Sequence, residues 1–365
     1  MTSSEWPVTS HSPLVTSHFP MRWFGFGTAL GIDLGTSNVL VYQQGRGIVL
    51  REPAVVAVTR SEGKLAAIGE EARQMLGRTP GNIQPVSPLR AGVIANYSVA
   101  TAMLRHIIDR LCGRGRLVHP DVAICLPCGA TGVERRAVLD AAHDAGARRV
   151  YPLLSPVAAA LGANLPVTAP QGSLVVDIGG GTTDIAVISL GGMVTGGAVR
   201  VGGQTCDEAI IRYLRREYNL LVGERMAEEV KLQIGSAERL ESELTMEVRG
   251  RDLMDGLPRT VRLRSEEIRE ALTEPLTAIS DKIRQVLEGT PPELSADIME
   301  RGMVLAGGGA LLRHIERFLS KRTNVPARVV EDPLSCLALG AGRYLESLRR
   351  QEGAWEPTAP SVTGG

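Results

Sequence analysis

The 365-residue chain has few aromatic residues, few cysteines and no net charge. Phe, Trp and Tyr make up 4% of the sequence, which argues against a surface that stacks bases or sugars. Forty Lys and Arg residues balance forty Asp and Glu residues, so no overall field attracts nucleic acid. No apolar run approaches the roughly 18 residues that a membrane-spanning helix needs. The sequence therefore excludes a polytopic membrane protein and predicts no nucleic-acid partner.

The five cysteines are too few for a disulfide scaffold in a chain of this length. Cys125 and Cys128 have the spacing of a redox motif, but they end the apolar run 122–126, which is typical of a buried strand. We interpret them as reduced structural thiols rather than as a redox pair. No group of His and Cys residues has zinc-site spacing. This cysteine usage favours a reducing cytoplasm.

The composition, with 44% hydrophobic and 22% charged residues, is that of an ordinary globular protein, and the length suggests about two domains. Val- and Ile-rich runs predict strands at 30–34, 38–42, 54–58, 122–126, 174–178, 184–190 and 303–306. Helical periodicity predicts helices at 98–111, 133–145, 206–218, 224–234, 265–288 and 310–320. Thr131, with Glu134 three residues later, predicts a capping box at the start of the second of these helices. Such alternation predicts α/β layers around buried sheets.

The two ends of the chain differ from the middle in composition. Residues 1–28 form a predicted N-terminal extension, or else translation begins at Met21. Trp23 and Phe24 lie beside Arg22, and this composition suits either a packed N-terminal arm or a short anchor at a membrane interface. At the other end, residues 350–365 predict a disordered tail.

One pattern occurs twice in the chain. Asp33 ends a predicted strand and is followed by Leu-Gly-Thr-Ser-Asn and a second strand. Asp177 likewise ends a strand and is followed by Ile-Gly-Gly-Gly-Thr-Thr and a second strand. The duplication of a strand, an Asp, a glycine-rich turn and a strand predicts two like-folded domains that face one another.

Two facing turns of this kind suit a triphosphate, because glycine lets backbone N–H groups approach phosphate oxygens where a Cβ would collide. We predict that one side of the phosphates is held by Gly35, Thr36, Ser37 and Asn38. The other side is predicted to be held by Gly179, Gly180, Gly181 and Thr182. Mg²⁺ takes few carboxylates and several waters, so Asp33 and Asp177 are predicted to orient water bound to Mg²⁺.

A third glycine cluster, Gly307–Gly309, follows the predicted strand at 303–306 and comes directly before a predicted helix. Exposed backbone and a helix N-terminus favour a nucleotide here as well. The alternative is a close turn between a strand and a helix. A Walker A lysine motif and a dinucleotide-type Gly-x-Gly-x-x-Gly motif are both absent.

These three motifs resemble the phosphate-1, phosphate-2 and adenosine motifs of the actin, sugar-kinase and heat-shock-chaperone ATPases. From about Phe24 to Leu348, the chain is similar to bacterial actins of the MreB/Mbl family, with matching segments at 45–53, 75–82, 223–225, 249–253, 290–294 and 331–333. The resemblance implies an actin-like ATPase fold, in which two duplicated α/β domains with inserted subdomains surround a nucleotide cleft. Domain I would cover residues 29–156, completed by 332–349, and domain II would cover 157–331.

The resemblance also implies a function. It implies an ATP-binding protein that polymerises with itself into double filaments, associates with the inner face of the cell membrane and determines rod shape by positioning cell-wall elongation proteins. It assigns the adenosine to the segments Glu228, Glu229, Val230, Lys231 and Gly307, Gly308, Gly309, Ala310. The alternatives on the same fold are a small-molecule kinase, which would need a further catalytic Asp, and a chaperone ATPase domain, which would need a substrate-binding domain after residue 348.

One departure from the family concerns hydrolysis. Where the family carries a glutamate that is taken to position the hydrolytic water, this chain has Ser155. Serine cannot act as a carboxylate base, and general-base assistance typically contributes about 10²–10⁴-fold. Thr182, which helps to hold that water in the family, is retained. With Ser155, Thr182, Asp33 and Asp177 as the candidate catalytic residues, we expect nucleotide binding with slow or absent hydrolysis.

A second membrane contact is predicted in the segment 114–119, where the family carries an exposed hydrophobic pair. Leu117 and Val118 would form that pair, beside Arg114 and Arg116. Each basic residue near an anionic leaflet contributes about 1 kcal/mol, so a single subunit would bind weakly and a filament would bind by avidity. The alternative is a plain loop whose Leu117 begins the next strand.

Overall fold

The computed structural model describes residues 28–60, 65–75, 82–113 and 118–350, except for the side chain of Arg350. The predicted anchor residues Trp23 and Phe24, the loop residue Leu117 and the tail from residue 351 lie outside the described residues. Across the described ranges, no helix combines the length and the apolar character that crossing a bilayer requires.

Eighteen strands form within the described residues. In chain order they are β1 (Ala29–Leu34), β2 (Asn38–Gln43), β3 (Gly47–Pro53), β4 (Val56–Thr59), β5 (Leu65–Ile68), β6 (Ile83–Val86), β7 (Leu89–Arg90), β8 (Val93–Ile94), β9 (Asp121–Leu126), β10 (Arg149–Leu154), β11 (Ser173–Ile178), β12 (Thr183–Ser189), β13 (Gly192–Val199), β14 (Leu220–Leu221), β15 (Thr245–Asp252), β16 (Pro258–Arg264), β17 (Met303–Ala306) and β18 (Ala327–Val329).

Ten α-helices connect these strands within the same described ranges. They are α1 (Glu70–Gln74), α2 (Tyr97–Cys112), α3 (Gly132–Asp144), α4 (Ser155–Gly162), α5 (Gly203–Tyr218), α6 (Glu224–Ile234), α7 (Ser265–Glu288), α8 (Pro292–Arg301), α9 (Ile315–Thr323) and α10 (Cys336–Arg350). The predicted capping box at the start of α3 is present, because the Glu134 backbone N–H donates to Thr131 Oγ1 and the Thr131 backbone N–H donates to Glu134 Oε2.

Two five-stranded sheets share one topology. The first has the order β10-β9-β1-β2-β3, with β1, β2 and β3 as an antiparallel meander and β9 and β10 running parallel to β1. The second has the order β13-β12-β11-β17-β18 and repeats the same pattern of antiparallel and parallel pairs. The predicted duplication is therefore confirmed at the level of the whole sheet. We call β1–β10 with α1–α3 and α10 the first lobe, and the elements from β11 to α9 the second lobe.

Each lobe carries a smaller sheet in addition to its main one. In the first lobe, β5-β4-β6 packs with α1 around a small alanine cluster. In the second lobe, β14-β15-β16 joins the core that lies under α5, α6 and α7. These two insertions fit the inserted subdomains that the family resemblance implies.

Helices α4 and α10 lie between the two main sheets. Their buried side chains form one cluster with residues of both sheets, including Ala123 of β9 and Val175 of β11. The two helices pack by backbone contact, since a Cβ on Gly340 would lie 1.8 Å from the Ala158 carbonyl oxygen. Because α10 also packs on β1, the last helix of the described chain completes the first lobe.

The predicted helix at 310–320 is wrong in its first half. Gly308–Leu311 forms a 3₁₀ turn, Leu312 is extended, and α9 begins only at Ile315. Long-range contacts explain the break: Arg313 pairs with Ser236 as a parallel bridge, and its side chain donates to the carbonyl of Gly235. Tertiary contacts thus override local helical periodicity at this point.

Candidate functional site

A cavity of about 360 Å³ lies where the β1–β2 turn meets the β11–β12 turn. Its size falls in the range of small-molecule sites. Every predicted residue of the two turns lines it, together with the two predicted carboxylates: Asp33, Gly35, Thr36, Ser37, Asn38, Asp177, Gly179, Gly180, Gly181 and Thr182. The fold therefore brings together residues that are far apart in the sequence.

The first turn is tight and presents side chains. The Gly35 N–H donates to the Asn38 carbonyl at 3.0 Å, and a Cβ on Gly35 would lie 2.7 Å from that same oxygen. Glycine is therefore required for this turn. Thr36 Oγ1 accepts a hydrogen bond from the Gly92 N–H at 3.0 Å. Because this contact uses only a lone pair, the Thr36 hydroxyl keeps its proton to donate to a ligand.

The second turn presents backbone instead. The Gly179 N–H donates to the Thr182 carbonyl at 2.8 Å, which closes the turn. A Cβ on Gly180 would lie 2.1 Å from Ser37 Oγ, and a Cβ on Gly181 would lie 2.7 Å from Thr36 Oγ1. The two turns thus touch across the cleft, and glycine in the second turn makes room for the hydroxyls of the first.

Two buried carboxyl groups at the strand ends lack a cationic partner among the described residues. Burial raises the pKa of Asp33 to about 7. Burial, followed by the charges of Asp184 and Asp33, raises the pKa of Asp177 well above its ordinary value. Neither carboxylate forms an ion pair with a Lys or Arg among the described residues. The arrangement therefore favours a cation between them.

The donor set fits Mg²⁺ better than a metal held by protein alone. Within the described ranges, no group of three or more His, Cys, Asp or Glu residues could hold a metal ion. Mg²⁺ is usually held by one or two carboxylates, waters and the phosphates of a bound nucleotide, and Asp33 and Asp177 supply that number of carboxylates.

The candidate hydrolytic residues lie on the same cavity. Ser155 is the first residue of α4, is 7% exposed and lines the cavity. Thr182 Oγ1 donates to Asp184 Oδ2 at 3.2 Å. Asp184, which the sequence analysis did not select, is buried and also lines the cavity. Burial raises the pKa of Asp184 to about 6, against the hydrogen bonds from Cys128 and Thr182, which lower it.

Of the four residues predicted in α6 to hold the adenosine, the structure places two on the cavity. Glu228 and Lys231 line the cavity, whereas Glu229 is exposed and Val230 lies in the core of the second lobe. Helical geometry explains the split, since residues i and i+3 share a face and the two between them do not. Lys231 Nζ lies 2.7 Å from Asp207 Oδ1 and donates to the Gly203 carbonyl at 3.0 Å.

The third glycine cluster lines the same end of the cavity through Gly307, Gly308 and Gly309, but Ala310 is 3% exposed and belongs to the core. Gly307 has a φ of 79°, and a Cβ there would lie 2.5 Å from Asp177 Oδ1. The cluster therefore connects the part of the cavity beside α6 with the part beside the two carboxyl groups.

Sequence analysis missed several residues that line the cavity. They come from loops and helix faces with no motif of their own: Gly92, Gly202, Gly203, Leu232, Gly235, Leu276, Ile279, Leu312, Arg313, Pro333 and Leu334. The only sequence signal for part of this set is the Gly202-Gly203 pair that precedes α5.

Two further predictions concern the surface and the cysteines. Val118 is 56% exposed, while its predicted partner Leu117 lies outside the described residues. Cys125, Cys128, Cys206 and Cys336 are free thiols, in line with the prediction of reduced structural thiols. Burial raises the pKa of Cys125 and of Cys128 well above the ordinary value, which makes both poor nucleophiles.

Comparison with known sequences gives a consistent result. A family model described as MreB/Mbl protein matches residues 27–353. The cell shape-determining protein MreB of Escherichia coli (strain K12) is 52% identical over 328 residues, which cover 88% of this chain and 94% of the relative. The cell shape-determining protein Mbl of Bacillus subtilis (strain 168) is 47% identical over 323 residues, which cover 88% of this chain and 97% of the relative.

Comparison with solved structures agrees. A crystal structure of MreB5 of Spiroplasma citri bound to ADP is 38% identical with a TM-score of 0.85, over 90% of this chain and 99% of that chain. The same protein bound to AMPPNP gives a TM-score of 0.84 at 38% identity, over 89% of this chain and 98% of that chain. A MamK double helical filament, 24% identical with a TM-score of 0.75 over 87% of this chain and 98% of that chain, shows a likeness of fold alone. The predicted actin-like fold is confirmed.

Proposed function

The chain belongs to the MreB/Mbl family, and from that premise we propose that it binds ATP with Mg²⁺ and polymerises into double filaments on the inner face of the cell membrane. These filaments determine rod shape by positioning the cell-wall elongation proteins. The observation that carries the proposal is the contact between the two turns across one cavity, which is also lined by two buried carboxyl groups without a Lys or Arg partner. Nucleotides bound to the 38% identical MreB5 support it.

The residues of the cavity divide the work of holding ATP. The backbone N–H groups of the second turn and the hydroxyls of the first grip the phosphates from opposite lobes. Glu228, Lys231 and the third glycine cluster hold the adenosine at the other end. Mg²⁺, oriented through water by Asp33 and Asp177, offsets the charge of the phosphates. Because the ligand touches both lobes, its binding selects the lobe arrangement that polymerises.

Hydrolysis in this chain is slow or absent. Ser155 lines the cavity at the position where we propose that a base would act. None of the carboxyl groups among the described cavity residues belongs to α4. Thr182 keeps a hydroxyl at the cavity wall. The chain therefore holds ATP longer than a relative with a glutamate at this position, and filament lifetime rises accordingly.

Membrane contact is made by the loop between α2 and β9. Val118 is 56% exposed, and this loop joins the end of α2 at Cys112 to the start of β9 at Asp121. The proposal pairs Val118 with Leu117, its neighbour in the sequence, and adds the nearby basic residues Arg114 and Arg116. Trp23 and Phe24 form the second anchor of the proposal.

Two measurements test this function. Calorimetry with ATP and Mg²⁺ should show binding, and electron microscopy on anionic lipid should show paired filaments with ATP but none without nucleotide. A small-molecule kinase or a chaperone ATPase domain would bind ATP without forming filaments. No heat of binding and no filaments at any protein concentration would refute the proposal.

The membrane contact has its own test. Val118→Ser should reduce pelleting of filaments with anionic vesicles. Val194→Ser is the matched control, because Val194 has a similar exposure of 45% but lies on β13 in the second lobe. Equal pelleting of both variants and the wild type would remove the loop from the proposal.

A further inference from the structure

Asp184 distinguishes the second hairpin from the first. In the β1–β2 pair, Asp33 lies opposite Leu40, whereas in the β11–β12 pair Asp177 lies opposite Asp184. Asp184 is 1% exposed and lines the cavity beside the second turn. A carboxylate at this depth is costly unless its oxygens accept hydrogen bonds. Its partners therefore indicate what it does.

The two carboxylate oxygens of Asp184 have different partners. Oδ2 accepts from the Thr182 hydroxyl at 3.2 Å, and Oδ1 accepts from the backbone N–H of Cys128 at 2.6 Å. Cys128 follows β9 and belongs to the first lobe. A single side chain thus connects the candidate hydrolytic threonine to the loop of the opposite lobe.

The contact with Asp184 decides how Thr182 can bind a ligand. A hydroxyl has one proton, and Thr182 gives it to Asp184. The Thr182 oxygen consequently offers only lone pairs to the cavity. Phosphate oxygens are acceptors and cannot bond to such a group, whereas a water molecule can donate to it.

We propose that Asp184 is a positioning residue for hydrolysis, which fixes the proton of Thr182 so that the threonine accepts a hydrogen bond from the attacking water. This inference rests on the proposed function, since it places ATP in the cavity. In the reaction, the water oxygen bonds to the γ-phosphorus while the bond to the β–γ bridging oxygen breaks and its electrons leave with ADP. One water proton stays on the new phosphate, and the other passes to a γ-phosphate oxygen.

Asp184→Asn tests the direction of the hydrogen bond between Thr182 and residue 184, because asparagine has nearly the same shape as aspartate. The amide oxygen still accepts from Cys128, but the amide nitrogen now donates to Thr182 Oγ1 and turns the hydroxyl proton into the cavity. We expect single-turnover phosphate release to fall at least tenfold, while the dissociation constant of ATP measured by calorimetry changes less than threefold. Thr182→Val should lose as much as Asp184→Asn, and Thr182→Ser, which keeps the hydroxyl, should release phosphate faster than Thr182→Val.

The double variant separates positioning from structural support. If Asp184 acts through Thr182, then Asp184→Asn causes no further loss in a Thr182→Val background. A further tenfold loss there, or unchanged release in Asp184→Asn alone, would overturn the inference. If Asp184→Asn fails to fold, the Thr182→Ser and Thr182→Val pair still decides, since equal release from both would overturn it too.

Failure of this inference is distinct from failure of the proposed function. A wild-type chain that does not bind ATP in calorimetry refutes the proposed function and this inference together. A wild-type chain that binds ATP but releases no phosphate over many hours refutes only the role of Asp184 in hydrolysis.

Discussion

The two hairpins that meet at the cavity share a backbone topology and differ in chemistry. In the first, the turn carries hydroxyl and amide side chains at Thr36, Ser37 and Asn38. In the second, the turn carries glycines, and a Cβ on Gly180 would collide with Ser37. The two hairpins therefore have the same backbone structure, but their turns have complementary roles. One provides donors, and the other provides space and backbone.

The lobes differ also at the end of the cavity beside α6, where we propose that the adenosine binds. The second lobe inserts α5 and α6 between its meander and its parallel strands, and with them the Lys231–Asp207 ion pair. At the corresponding point, the described part of the first lobe has the sheet β5-β4-β6 and helix α2. The end of the cavity between the two hairpins is therefore symmetric in topology, and the end beside α6 is not.

Ser155 lies at the crossing point between the lobes, and its substitution has the largest expected effect. Because a glutamate at this position would supply a carboxylate base, Ser155→Glu should raise steady-state ATP turnover by about 10²-fold, the low end of general-base assistance. The start of α4 suits a carboxylate, since a helix N-terminus stabilises negative charge. A phosphate-release assay measures this.

Ser155→Gln is the matched control, because glutamine has the length of glutamate without its basicity. Turnover should rise only with glutamate. Equal rates in the two variants, or no rise in either, would show that the slow step is not set by the missing base.

Loss of the ion pair between Lys231 and Asp207 of the second lobe should have the next largest effect, which is on stability. Lys231→Met leaves Asp207 buried without its partner, and burial already raises the pKa of Asp207 to about 6. We expect the free energy of unfolding at pH 8 to fall by about 2–3 kcal/mol. Because Lys231 lowers the pKa of Asp207, that pKa rises above about 6 in the variant, and protonation of Asp207 should shrink the loss as pH falls from 8 towards 6. Urea unfolding at pH 8 and pH 5.5 measures both.

Two companion variants test the cause of that loss. Lys321→Met removes a lysine whose ion pair with Glu238 is exposed, and it should cost less than about 1 kcal/mol. Adding Asp207→Asn to Lys231→Met should recover most of the stability at pH 8. A pH-independent loss in Lys231→Met would indicate lost packing rather than an unpaired charge.

Local signals predicted much of this architecture, and non-local contacts account for what they missed. The paired hairpins and the capping box at Thr131 depend on neighbouring residues, and both are present. The break before α9 depends on the pairing of Arg313 with Ser236, which no local window contains. The role of Asp184 likewise depends on Cys128, which lies in the other lobe.

The fit between the two turns can be tested at Gly180. Gly180→Ala places a Cβ 2.1 Å from Ser37 Oγ and 2.9 Å from Ser37 Cβ, so the turns must move apart. Because overpacking of this kind costs about 1–3 kcal/mol, the affinity for ATP should fall about tenfold or more in calorimetry. Adding Ser37→Gly should restore part of it.

Gly223→Ala is the matched control, since no atom lies within 4 Å of a Cβ at that position. It should leave ATP affinity unchanged. If Gly180→Ala also left affinity unchanged, the contact between the turns would not matter for nucleotide binding, and the complementarity of the two hairpins would be lost as an explanation.

The smallest expected effect concerns Asp33, the buried carboxyl group of the first lobe, and the pH dependence of Tm. Burial raises the pKa of Asp33 from 3.8 to about 7, so its protonated form is favoured in the folded state. Its contribution to stability is full below pH 3.8 and is lost as pH rises through about 7. In the nucleotide-free chain, the fall in Tm between pH 6 and pH 8 should therefore be about 2 °C smaller in Asp33→Asn than in the wild type, measured by calorimetric scanning.

The control is Asp281→Asn, at an exposed site of α7, which should keep the wild-type dependence of Tm on pH. An equal change of Tm with pH in all three chains would mean that Asp33 is already ionised and solvated without a cation. The argument for Mg²⁺ in the cavity would then rest on Asp177 alone.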